Sequence, residues 1–161
     1  MQPEHTPQWL REFVAKNFPI TFNAVEEPDF EGLTESWPTG PDQLTFANPP
    51  FADAQLWVEK AAKELAKGAA SVLFVPFMAN STYFRDTVYK HALEIHILKC
   101  PIKQPGKSKS VVSQTSLLVF VARDKDVPPN SDPNVFLVEP AGWSEEYYKR
   151  PRNRSRFASN K

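Results

Sequence analysis

A short apolar run that ends on two prolines restricts the fold more than any other feature. Leu44, Thr45, Phe46 and Ala47 read as a buried strand and lead directly into Asn48-Pro49-Pro50-Phe51. Proline gives no N–H to a ladder, and Pro49 holds Asn48 in extended geometry, so strand pairing must stop here. Asp53 then suits a helix N-cap. Trp57, Val58, Ala61, Ala62 and Leu65 share one face of the helix that follows, and Gly68 suits the position just past its end. The next run, Ser71-Val72-Leu73-Phe74-Val75, is apolar without alternation. That pattern is expected of a central parallel strand covered on both faces.

The rest of the chain extends the same alternation. Thr6-Pro7 reads as a helix start, with Thr6 as N-cap and Pro7 at the first helical position. Trp9, Leu10, Phe13, Val14 and Phe18 follow at helical spacing until Pro19 stops the helix. Residues 20–25 read as a strand. Residues 26–42, with three prolines, two glycines and several acids, read as a loop with one turn near 33–37. Asn80 or Ser81 suits the cap of a helix running to about Tyr89. Strands are expected over 93–98 and 116–122 and a short one over 135–138, with a polar loop over 104–113. Strands alternating with helices imply an α/β fold with an open, mainly parallel sheet flanked by helices. Residues 1–140 make this domain. Residues 141–161 form a basic extension with Lys149, Arg150, Arg152, Arg154, Arg156 and Lys161 and, from Lys149 on, no acid. No internal repeat is visible.

Composition removes several function classes. A chain of 161 residues, 41% hydrophobic and 24% charged, can build an ordinary core. A single cysteine, Cys100, excludes an intrachain disulfide framework and a cysteine-rich metal site. The three histidines (His5, His91, His96) have no metal-ligand spacing. Five glycines never fall at G-x-G-x-x-G or P-loop spacing, so no glycine-rich phosphate loop is readable. Net charge is zero, so nucleic-acid binding would need a local basic patch. No apolar run reaches the ~20 residues of a membrane span, and the first residues lack the pattern of a signal peptide.

Asn48-Pro49-Pro50-Phe51 is the segment with chemistry. In open α/β sheets ligands bind outside the carboxyl ends of the strands. The Asn48 side-chain oxygen and a proline carbonyl freed from the ladder are both acceptors, and Phe51 offers a stacking face. Two acceptors beside a flat ring suit an exocyclic amine on a planar heterocycle, such as the N6 amine of adenine. Accepting the two N–H bonds localises the nitrogen lone pair and stabilises the charge that grows as it attacks a methyl donor. No ionisable group is required, in keeping with asparagine at this place. A base within a duplex would have to be flipped out. The same four residues also serve as a plain rigid turn.

Several stretches, taken in order, resemble the phage-type DNA N6-adenine methyltransferase family. They are His5-Thr6-Pro7-Gln8-Trp9-Leu10, then Gly32-Leu33 and Trp37-Pro38, then Phe46-Ala47-Asn48-Pro49-Pro50-Phe51. Trp57-Val58-Glu59-Lys60-Ala61, Val72-Leu73-Phe74-Val75-Pro76 and Ser116-Leu117-Leu118-Val119-Phe120 complete the likeness. The resemblance implies a Rossmann-type, methyltransferase-like fold that binds S-adenosylmethionine and methylates adenine in DNA. It implies catalytic roles for Asn48, Pro49, Pro50 and Phe51, and cofactor contacts from Thr6, Pro7, Trp9 and Asn23.

The chain departs from that family after its first strand. Phe22-Asn23-Ala24-Val25 stands where an acid and small residues are expected, and the segment up to Gly32 is shortened. This departure leads to the alternative, an inactive methyltransferase-like domain kept as a structural subunit of a large complex, such as an organellar one. Such a subunit would dock through the basic tail; an active enzyme would work on DNA in a bacterial cytoplasm. Asp29, Glu31 and Glu35 are candidates to replace the acid, or they are a solvated loop. Lys103, Lys107 and Lys109 are candidate DNA-phosphate contacts. His96 and Cys100 read as packed core residues.

Overall fold

Leu10, Phe13 and Val14 become the buried face of α1 (Gln8–Asn17), the first element of the computed structural model. The structure describes residues 6–98, 114–123 and 131–138. Pro7, not Thr6, is the N-cap. Its carbonyl accepts the N–H groups of Leu10 and Arg11, each at 3.0 Å, and no side chain caps the helix. The Thr6 hydroxyl is engaged elsewhere, as described below.

Among the described residues six strands form one mixed sheet: β1 (Phe22–Asn23), β2 (Thr45–Ala47), β3 (Ser71–Pro76), β4 (Glu94–Leu98), β5 (Thr115–Phe120) and β6 (Asn134–Val138). Their spatial order is β1-β2-β3-β5-β4-β6. The pairs β1–β2, β2–β3 and β4–β6 are parallel, while β5 runs antiparallel to both β3 and β4. Five strands therefore point one way and β5 alone is reversed. The expected strand over 20–25 pairs over only two residues.

Alternate side chains feed two cores. Phe46, Val72, Phe74, Leu117, Val119 and Phe136 meet α1 on one face. Ala47, Leu73, Val75, Ile95, Leu118 and Phe120 meet α2 (Ala54–Ala66) and the segment after β3 on the other. That segment is a π-helical turn (Phe84–Val88) continued by α3 (Tyr89–His91). The Ser81 hydroxyl accepts the Phe84 N–H at 3.3 Å, as its capping position predicts. A short 3₁₀ turn (Phe51–Asp53) leads into α2, and Gly68 follows the helix with φ +97°, a conformation that favours glycine. Asp53 occupies the N-cap of α2 but makes no side-chain capping bond. His96 is fully buried, stacked on Phe136 at 4.8 Å and bonded through Nε2 to Glu94 Oε1 at 2.9 Å. It is a packed residue, as expected.

Neighbouring parallel strands need a crossover, usually a helix. The crossover from β1 to β2 has none and is held by side chains instead. Glu64 of α2, 1% exposed, accepts the Trp37 backbone N–H on Oε1 at 2.6 Å. Trp37 Nε1 donates to the Gly32 carbonyl at 2.8 Å, and the Trp37 ring packs on Trp57 at 6.2 Å. A Cβ at position 32 would lie 2.3 Å from the Trp57 ring and 2.7 Å from the Ala24 carbonyl, so glycine is required there. Lys60 and Lys67 sit 3.2 and 3.1 Å from Glu64 Oε2, at ion-pair distance but outside hydrogen-bond alignment.

Burial pushes the Glu64 carboxyl up, but the Trp37 N–H and the two lysines together outweigh it and hold the carboxyl below its ordinary value. The unfolded chain therefore binds the proton more readily. This stabilisation is present above the unfolded pKa and is lost as pH falls through the folded one. Glu64→Gln is expected to cost about 1–3 kcal/mol at neutral pH and to flatten the acid side of the stability profile. Urea unfolding across the carboxylate range checks both; parallel profiles for the two proteins would contradict this account.

Candidate functional site

The carboxyl ends of β1 and β2 lie side by side, and the start of α1 reaches the same edge. Asn23 ends β1 and turns the chain: its Oδ1 accepts the N–H groups of Val25 at 3.0 Å and Glu26 at 2.9 Å. Asparagine favours this local turn. The turn folds Glu26 back, and Asn23 Nδ2 donates to Glu26 Oε2 at 3.0 Å. Arg11 of α1 donates from Nη2 to Glu26 Oε1 at 3.0 Å and from Nε to the Thr6 carbonyl at 3.1 Å. Its guanidinium thus ties the entry of α1 to the exit of β1.

Thr6, buried to 6% exposure, links this carboxylate to the exit of β2. Its hydroxyl donates to Glu26 Oε2 at 3.4 Å, the longest link, and accepts from Asn48 Nδ2 at 3.1 Å. Among the described residues no hydrogen bond reaches Asn48 Oδ1. The Pro49 carbonyl is likewise without a donor among them, whereas the Pro50 carbonyl accepts the Asp53 N–H at 2.9 Å. Asn48 is half-buried and held through Nδ2 by Thr6, whereas Pro49 is buried.

The structure therefore brings together Thr6, Asn23 and Asn48, which lie far apart in sequence. Pro7 starts α1. Trp9 is half-buried against the α1-side core, which is a packing role. Phe51 rests on Phe74 with ring centroids 5.9 Å apart and remains partly exposed. Glu35 accepts the Glu31 N–H within its own exposed turn, and Asp29 lies in that loop with φ +58°. None of these three carboxylates joins the Thr6–Asn48 network. Lys103, Lys107, Lys109, Cys100 and the basic segment 149–161 lie outside the described residues.

Glu26 and Arg11 are the members that sequence reasoning missed. Glu26 is one of several acids in an acidic stretch. Its signal was the asparagine three residues before it, which makes a turn that brings an acid back over the strand end.

A separate cleft of about 490 Å³ opens at the opposite end of the sheet. Thr21, Gln43, Leu44, Leu65, Ala70 and Val121 line it, and Asp42 is the one ionisable lining residue among the described residues. Its Thr21 hydroxyl and Gln43 side chain bond each other at 2.9 Å, so the polar cluster at Asn48, with an acceptor left unpaired among the described residues, is the better candidate. Among the described residues no cluster of acidic, histidine or cysteine side chains could hold a metal ion. No helix among them is long and apolar enough to cross a membrane. No protein-family model and no curated protein matches the chain.

Asn23→Ala should remove both acceptor bonds of the turn and release Glu26. The expected loss is about 1–2 kcal/mol of stability, read by urea unfolding. Undiminished stability would contradict the role given to the turn.

Proposed function

We infer that this chain is an S-adenosylmethionine-dependent methyltransferase acting on the exocyclic N6 amine of adenine in DNA. One observation carries the reading: Asn48 Oδ1 and the Pro49 carbonyl are adjacent in sequence, accept no bond among the described residues, and lie at the carboxyl end of a parallel strand. Two acceptors there match the two hydrogens of an amine. The order of matching segments along the chain supports the same family. The α/β sheet, with helices on both faces, is compatible with a Rossmann-type, methyltransferase-like fold.

In this reading the base enters flipped from its strand and rests beside Phe51. Asn48 and the Pro49 carbonyl accept its amine hydrogens, which localises the nitrogen lone pair. As the amine attacked the methyl carbon, the methyl–sulfur bond would break and its electron pair leave with the demethylated thioether, while positive charge would grow on nitrogen and the same two oxygens would stabilise it. The amine then gives up a proton to solvent. Asn48 remains neutral throughout and acts by electrostatics rather than as a base.

The residues present fit the cofactor at one place. A carboxylate has roughly four acceptor positions, and Glu26 uses three, for Arg11, Asn23 and Thr6. The remaining position is on Oε1, in a side chain that is 38% exposed. Glu26 would hold a hydroxyl or ammonium hydrogen of S-adenosylmethionine, which supplies an electrophilic methyl group when bound, and the second Nδ2 hydrogen of Asn23, whose Oδ1 is already occupied, would be donated to an oxygen of it. Glu26 thus answers the absence of an acid within Phe22-Asn23-Ala24-Val25. Lys103, Lys107 and Lys109 remain the proposed phosphate contacts, and a bacterial cytoplasm the proposed setting. The rival reading is a subunit that keeps the shape without the reaction, docked through the basic tail.

Asn48→Ala is expected to lower methyl transfer to adenine-containing DNA by at least about a hundredfold with unfolding unchanged. Incorporation of labelled methyl groups measures it. Unaltered transfer by the variant would remove Asn48 from the mechanism.

A further inference from the structure

We propose that Glu26 determines what Asn48 can recognise, by setting the direction of a chain of hydrogen bonds through Thr6. The inference rests on the reading of Asn48 as the group that meets the ligand. It gives Glu26 a second role beside the cofactor contact: toward the base, which it does not touch, it acts through Thr6 as a positioning residue.

An asparagine amide has an oxygen that accepts and a nitrogen that donates, and the two ends are nearly the same shape. Which end faces a ligand depends on what the other end meets. Asn48 meets the Thr6 hydroxyl at 3.1 Å. A hydroxyl has one hydrogen, so it donates in one direction only. Glu26 Oε2 lies on the other side of Thr6 at 3.4 Å. A carboxylate accepts and does not donate, so the Thr6 hydrogen is committed to Glu26. Thr6 then has only lone pairs for Asn48, and Asn48 must turn Nδ2 inward. Its oxygen is left outward.

Two further contacts hold the carboxylate in this role. Arg11 donates to Oε1 and Asn23 donates to Oε2, the latter because Asn23 Oδ1 already accepts two backbone N–H groups. The outward oxygen selects a ligand bearing N–H donors and rejects an isostere bearing a carbonyl. Adenine against hypoxanthine is such a pair.

Glu26→Gln reverses the direction of the chain of hydrogen bonds. Glutamine has one oxygen for the three donors Arg11, Asn23 and Thr6; with that oxygen on the cationic Arg11, the Asn23 bond is given up and the new Nε2 faces Thr6. Thr6 then accepts from Gln, its hydrogen is freed, and Asn48 is left to present Nδ2 outward. Thr6→Val cuts the chain at its middle, whereas Thr6→Ser preserves it.

The test is nitrogen–proton correlation spectroscopy of the full chain, with the Asn48 side-chain amide identified by its loss in Asn48→Asp. Glu26→Gln and Thr6→Val are each expected to move that amide pair, while Thr6→Ser leaves it in place. An unmoved pair in both folded variants overturns the proposal, whether or not the protein methylates anything. Short single strands of deoxyadenosine and deoxyinosine are then titrated in. The wild-type protein should respond to the deoxyadenosine strand at a concentration lower by at least about tenfold, and Glu26→Gln should lose that preference. Equal responses, or none, from the wild-type protein overturn the selectivity. Absence of methyl transfer with the amide shifts intact defeats only the enzymatic reading.

Discussion

The hydrogen bond from the Trp37 backbone to the buried Glu64 carboxylate allows a helix-free crossover to stand between two neighbouring parallel strands. Residues 24–44 contain no helix with which to cover the sheet. They depend on α2, where Glu64 takes the Trp37 N–H and Trp57 takes the Trp37 ring. Gly32 lies so close beneath Trp57 that no side chain fits. With the crossover anchored, the ends of β1 and β2 stay adjacent. Only then can Glu26, after β1, share Thr6 with Asn48, after β2. The polar site is thus a consequence of a packing arrangement on the far side of the loop.

Much of this was legible in the sequence. The double proline marked the end of β2, the spacing of Trp57, Val58 and Ala61 marked α2, and Gly68 marked its end. The unbroken run 71–75 identified a strand buried on both faces. The reversal of β5 was not legible. Ser116-Leu117-Leu118-Val119-Phe120 is apolar throughout, and a run buried on both faces looks the same in either direction. The brevity of β1 was hidden too, because residues 20–25 have strand composition but only Phe22 and Asn23 meet β2 in register.

The site was legible in its parts and illegible in its connection. Asn48, Asn23 and Thr6 were each singled out, and the structure joins them. Thr6 reads as a helix cap because threonine before proline usually is one; here its hydroxyl is drawn away by Glu26 and Asn48. Glu26 was overlooked because its significance lies in a turn made by Asn23, not in its own position among neighbouring acids. A carboxylate does reach the end of the first strand, and it arrives by a local turn rather than from within the strand.

The account's central claim is that this edge of the sheet holds S-adenosylmethionine beside an amine-accepting asparagine. Calorimetric titration of the purified, folded protein with S-adenosylmethionine and with its demethylated product tests it most directly. The account predicts micromolar binding of both, weakened in Glu26→Ala. A folded protein that binds neither would contradict it, and would leave Asn48-Pro49-Pro50-Phe51 as a rigid turn in a domain that works through its partners.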